Sequence, residues 1–203
     1  PAENFMRHPQ GPVHAVAVSA DGRYISSAAE YTARVWRTAD GTLSSELPVN
    51  GTGLAVAFSP DAGKWAVGDS AGNVFVGTPE TSTPLGSIRA QGAVHAVAFS
   101  PDGRRLASGD DTGNVELWDA ATFEPFGERH AFAHPVRWIG FTAGGEHVIV
   151  QTLHWLHRVT LVDDRLSVVG SRLLDVGLAP DAAPAAPSGD VVRLVGGVGG
   201  API

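Results

Sequence analysis

The chain has 203 residues, 43% hydrophobic and 17% charged, with a formal net charge of -7 and no cysteine. Such a composition supports a sizeable apolar core. The acidic balance argues against a nucleic-acid surface, which needs a basic stripe to neutralise phosphates, and the missing cysteines exclude disulfides, thiolate metal sites and cysteine nucleophiles.

There is no apolar run of about 18 residues and no charged segment leading into one, so neither a helical membrane span nor a signal peptide is visible. Cytoplasm is the default expectation. Thirteen of the 14 basic residues are Arg, with Lys64 the only Lys. Together with heavy Ala and Gly usage, that reads as the coding bias of a GC-rich bacterial genome. The chain starts at Pro1 rather than Met, so an upstream part is expected.

Taken in chain order, one pattern recurs. The first copy is Val13-His-Ala-Val-Ala-Val-Ser19-Ala-Asp-Gly, with Ala33-Arg-Val-Trp-Arg37 after it. The second runs from Leu54 to Thr78 and opens Leu-Ala-Val-Ala-Phe-Ser59-Pro-Asp-Ala-Gly. The third, Val94 to Asp119, is the fullest, with Ser100-Pro-Asp-Gly and Val115-Glu-Leu-Trp-Asp. A fourth starts at Val136 and reaches Thr142-Ala-Gly-Gly; a decayed fifth holds Asp175-Val-Gly-Leu-Ala179 beside an Ala/Pro-rich stretch. The aligned residues Ser19, Ser59, Ser100, Thr142 and Ala179 are 40, 41, 42 and 37 places apart. A period of this size marks a repeat architecture. Within a copy, short alternating apolar runs separated by Gly, Asp, Asn and Pro turns predict four antiparallel strands. One such sheet cannot bury both faces, so neighbouring copies must stack.

These residues resemble the WD-repeat family, most closely in the third copy. The resemblance implies an all-β fold of β-propeller blades, each a four-stranded antiparallel meander. The expected blades are residues 8–48, 49–89, 90–130 and 131–173, with a degenerate fifth at 174–203 and an outer strand of a preceding or closing blade at 1–7. Four to five blades fall short of the family's usual ring, so a piece of a larger propeller is expected, with self-association as the hazard of unpaired edges. The family's Trp-Asp ending is kept only at Trp118-Asp119 and becomes Trp36-Arg37, Gly77-Thr78 and Leu161-Val162 elsewhere. Its opening Gly-His is eroded too: His8 and His134 are candidates, while Asn50 and Gln91 open the other copies. In the family a His-Ser-Asp-Trp hydrogen-bond tetrad locks each blade. Here Ser108 and Trp118 fit, with Asp111 one place early and Thr112 at the Asp position; in the first copy Glu30 stands at that place and Trp36 at the Trp. Trp65 and Trp155 are expected to fill space that lost tetrads leave.

Residues with chemical potential are read against plainer roles. Gly68-Asp-Ser-Ala-Gly72 matches the hydrolase elbow G-x-S-x-G, but it falls on the turn between the second and third strands with no helix following, so Ser70 is expected in a hairpin turn rather than as a nucleophile. Five of the eight His lie between His130 and His157; their strand spacing fits surface and capping roles better than a tetrahedral metal site. Asp69 and Asp110 each follow a Gly at the end of a second strand, where Asp bonds its own backbone. The terminal Val-Gly-Gly-Val-Gly-Gly lacks the helix a phosphate loop requires.

What remains is binding. In the family, the residues flanking the first Val of each innermost strand line the narrow top face. Carried over, these are Pro12 and His14, Gly53 and Ala55, Ala93 and His95, Pro135 and Arg137. The sequence therefore reads as a protein-interaction scaffold or sensor module with a protein partner, no catalytic residue, no cofactor, no metal, no nucleic acid and no membrane. Two alternatives stand beside it: a small-ligand-binding or hydrolytic propeller using the central channel through His14, His95 and Arg137, and an incomplete fragment of a larger multidomain signalling protein.

Overall fold

A computed structural model of the chain describes residues 8, 11–162 and 165–173. All of its regular elements are strands: β1 Ala15–Val18, β2 Tyr24–Ala28, β3 Glu30–Arg37, β4 Leu43–Phe58, β5 Trp65–Asp69, β6 Asn73–Gly77, β7 Gly86–Arg89, β8 Val94–Phe99, β9 Arg105–Asp110, β10 Asn114–Asp119, β11 His130–Ala131, β12 Trp138–Phe141, β13 His147–Gln151, β14 Trp155–Val162 and β15 Arg165–Leu173. Every pairing is antiparallel between chain neighbours. The long β4 serves two units: it pairs with β3 up to Thr52 and with β5 from Gly53. The result is four four-stranded β-propeller blades, the first two joined through β4. The degenerate fifth copy lies outside the described residues.

The repeated Ser-x-Asp turn between the first two strands of a blade has a local cause. The hydroxyls of Ser19, Ser59 and Ser100 donate to Asp21, Asp61 and Asp102 at 2.7, 2.6 and 2.6 Å. They accept in turn from the amides of Tyr24, Lys64 and Arg105 at 2.9, 2.8 and 2.9 Å. All three carboxyls sit below the ordinary Asp value, Asp21 at about 2, because these turn bonds favour the ionised form. In the fourth copy, where no Asp follows, the Thr142 hydroxyl accepts from the amide of His147 at 3.2 Å and donates to its carbonyl at 3.4 Å.

Blades stack by matching small residues to large ones. One face of each innermost strand presents alanines and the other presents bulky groups. Ala15 shares a core cluster with Val56 and Phe58, Ala55 and Ala57 share one with Val97 and Phe99, and Ala96 and Ala98 share one with Ile139 and Phe141. Each bulky side chain so buried stabilises by about 1.5–3 kcal/mol. The equivalent pair on β1, Val16 and Val18, is 49% and 54% exposed, while on β12 the alanine positions hold Trp138 and Gly140, with the indole lying over the glycine.

The tetrad fragments differ from the sequence expectation. Trp118 donates to Ser108 at 2.9 Å, as the resemblance implies. In blade 1, Trp36 donates to Ser27 at 2.9 Å and His8 bonds the same hydroxyl at 2.6 Å. Glu30 takes no part in these bonds, because its side chain lies over Gly11 at the strand end. In blade 2, Val67 and Gly77 replace both hydroxyl and indole, and Trp65 fills the vacated space. It is fully buried, pairs across from Gly77, and donates to the carbonyl of Thr78 at 3.1 Å.

Candidate functional site: the bulged ends of the innermost strands

The start of each innermost strand lies at the same end of its blade as the turn between the second and third strands, since Ala15 pairs with Ala28 and Val94 with Asp110. Two buried carboxylates weld this end together. Asp110, 1% exposed, accepts from the amides of Gly92, Thr112 and Asn114 at 3.1, 3.0 and 2.9 Å, and from the Thr112 hydroxyl at 2.7 Å. Asp69, fully buried, does the same for Asn50, Ala71 and Asn73 at 2.8, 3.0 and 2.8 Å. Each thus joins the segment leading into a blade, the middle of β4 for Asp69 and the β7–β8 loop for Asp110, to a turn of that blade. Every lone pair is engaged, and neither acid is free for acid–base work. Asp111, the residue singled out from the sequence, is exposed beside this hub, its carboxylate leaning over Gly92.

The innermost strands of blades 2 and 3 begin with bulges. The register skips between Gly53 and Ala55 and between Val94 and Ala96, leaving Leu54 and His95 as the extra residues. A bulge re-aims the side chain it carries. Counted from the aligned hydroxyl residue, five places back stand His14, Leu54, His95 and Arg137. His14 and Arg137 are exposed; Leu54 and His95 are half-buried.

Ala55 is a correction to the sequence reading: it is 7% exposed and packed in the seam of blades 2 and 3. Counting from the first apolar residue misplaced the second copy by one, because Gly53 stands there where Val13, Val94 and Val136 stand in the others. Of the flanking positions, Pro12 is exposed and Ala93 and Pro135 are half-buried. Burial is the main cause that holds His95 below its ordinary pKa of 6.5; the charge of Arg137 adds to it, and Asp111 and Asp110 oppose.

Tyr31 belongs to this end and escaped sequence reasoning. It is 64% exposed with a φ of 62°, the left-handed region that Gly72 and Gly113 occupy in the equivalent turns of blades 2 and 3, at 87° and 90°. The signal was there: the first copy has no Gly in this turn.

The other candidates resolve into local roles. Ser70 accepts from the amide of Thr52 at 2.9 Å in the β5–β6 turn. His157 spends both ring nitrogens on hydroxyls, Ser171 at 2.8 Å and Thr152 at 3.2 Å, and packs on Phe132. His130 also packs on Phe132. No group of three or more potential metal ligands converges among the described residues. Two Ser–His contacts exist, at Ser27–His8 and Ser171–His157, yet the second nitrogen of His8 has no partner among the described residues and that of His157 faces Thr152. The orienting carboxylate of a hydrolytic triad stands at neither.

The family described as "WD domain, G-beta repeat" matches residues 2–37 and 82–119, the segments holding the first and third copies. In fold the chain is similar to Sqt1 of Chaetomium thermophilum, solved in a crystal bound to the N-terminus of the ribosomal protein L10, with a TM-score of 0.73 and 23% sequence identity. The match covers 82% of this chain and 50% of that one, so the chain spans about half the length of that structure. None of the curated proteins matches it in sequence.

Proposed function

We propose that the chain is a WD-repeat propeller segment that works as a rigid, non-catalytic platform, holding a protein partner on the bulged ends of its innermost strands. The observation that carries this is a division of labour between the two ends of the blades. At the Ser-x-Asp end, the polar side chains of three copies are consumed by their own turns. At the opposite end the backbone is welded by Asp69 and Asp110 while His14, Leu54, His95 and Arg137 project from equivalent positions. Rigid scaffolds that present side chains from strand ends suit recognition without reorganisation. Support at the level of fold comes from Sqt1, which was solved with a protein segment bound; fold alone does not fix function.

The test is a selection of peptides from a displayed random library on the immobilised chain. Peptides that bind the platform should lose binding with Leu54→Asp and keep it with Arg104→Asp, at the exposed Ser-x-Asp end. The reverse pattern would remove the proposal.

A further inference from the structure

We infer that the partner segment is acidic, its carboxylate seated at the adjoining ends of β8 and β12 between Arg137 and His95. This rests on the platform reading above and adds the chemistry of the occupant. Arg137 and His95 hold the same position in neighbouring copies; the Val136 amide, just before β12, donates to the carbonyl of Asp110 at 3.0 Å, and Asp110 at the end of β9 pairs with Val94 at the start of β8. The guanidinium is exposed and makes no ion pair with a described residue. Its backbone is fixed by the Arg137 amide donating to the Gln151 carbonyl at 2.8 Å, so a charged fork stands on a rigid stem. Such a fork matches a carboxylate.

Two acids, Asp110 and Asp111, oppose Arg137 at His95, and neither makes an ion pair with its guanidinium. Asp110 is buried with its oxygens already bonded. Asp111 leans over Gly92, and Glu30 lies over Gly11 in blade 1. In blades 1 and 2 the same end carries Tyr31 and Leu54, and the left-handed backbone of Tyr31 is a conformation that L-residues adopt at a cost. Strain of this kind clusters where a side chain is used for binding, and exposed Tyr is a frequent hot-spot residue. An acidic segment with one apolar or aromatic residue beside its carboxylate fits the pair of features.

The experiment is fluorescence anisotropy with the full chain and two labelled peptides of about ten residues, one built on Glu and Ser with a single Leu, the other with Lys replacing Glu. The acidic peptide should bind at least roughly tenfold more tightly, and Arg137→Gln should remove roughly tenfold of that affinity, as expected for a lost charge-assisted pair. Arg104→Gln should change nothing, and unchanged thermal midpoints keep the comparison clean. Equal binding of both peptides, no binding of either, or indifference to Arg137→Gln overturns the acidic assignment. If the basic peptide wins and Leu54→Asp abolishes it, the acidic assignment falls while the platform stands. If only Arg104→Gln weakens binding, the choice of face is wrong as well.

Discussion

Asp110 and Asp111 are adjacent acids with opposite structural weight, and substitution separates them. Asp110→Ala strips three partly buried backbone amides of their acceptor; with water able to replace part of what is lost, a loss of about 1–3 kcal/mol is expected in urea unfolding. Asp111→Ala, on an exposed side chain, should stay within about 0.5 kcal/mol. Equal effects would mean that the buried hub is not what welds this end. Tyr31 gives the opposite sign. Tyr31→Gly relieves left-handed backbone and gives up little burial, since the ring is 64% exposed. Offset by the entropy glycine adds to the unfolded chain, the net expectation is a gain of about 0.5–1 kcal/mol, read as a higher urea midpoint, together with weaker partner binding. A residue whose removal stabilises the fold and harms recognition is kept for recognition.

Elements were legible wherever their cause is local. The Ser-x-Asp turns could be read because hydroxyl, carboxylate and receiving amide lie within a few residues of each other, and the strands because their apolar periodicity is short. What depended on partners across a seam or strand was not legible. Ser27 meets Trp36 only through the β2–β3 pairing, and Leu54 reaches its position only through a bulge that the sequence does not announce. The seams also compensate for one another in a way that only the stacked blades reveal. An added Cβ on Gly68 would lie 2.5 Å from Val94, and one on Gly109 would overlap Val136. At the first seam the roles are exchanged: Ala28 takes the glycine position and Gly53 the valine position, where a Cβ would lie 2.8 Å from that of Ala28. Gly68→Ala should therefore cost about 1–3 kcal/mol by overpacking. Adding Val94→Gly, which recreates the first seam, should recover part of that, a coupling of about 0.5–3 kcal/mol in a double-mutant cycle. Strict additivity would show that the two positions do not share the space.

For the whole molecule, stability is a sum over blades and the seams between them, and its pH dependence gathers contributions from three different blades. His8 against blade 1, His95 at the head of blade 3 and His157 in blade 4 all titrate below 6.5, burial being the first cause in each. The folded chain therefore keeps these rings neutral at a pH where the unfolded chain, with ordinary His near 6.5, has begun to protonate them. Between those values the unfolded state binds more protons, so stability increases with pH. Their contribution is complete above pH 6.5 and is lost as the pH falls through the folded values. The turn carboxylates act in a separate window, since Asp21, Asp61 and Asp102 are lowered from 3.8 and begin to withdraw support only below that pH. Glu116 works against the histidines just above 4.5, because burial raises its pKa and ionising it costs stability. Urea unfolding should accordingly show stability climbing as the pH rises toward the ordinary His value of 6.5 and levelling above it. His157→Gln should flatten part of the climb, because Gln keeps a polar group near Ser171 and Thr152 without a titrating ring. A profile that is level or falling across that interval would mean that the three rings are as well hydrated in the folded chain as in the unfolded one, and that these blades are less tightly closed around them than their packing implies.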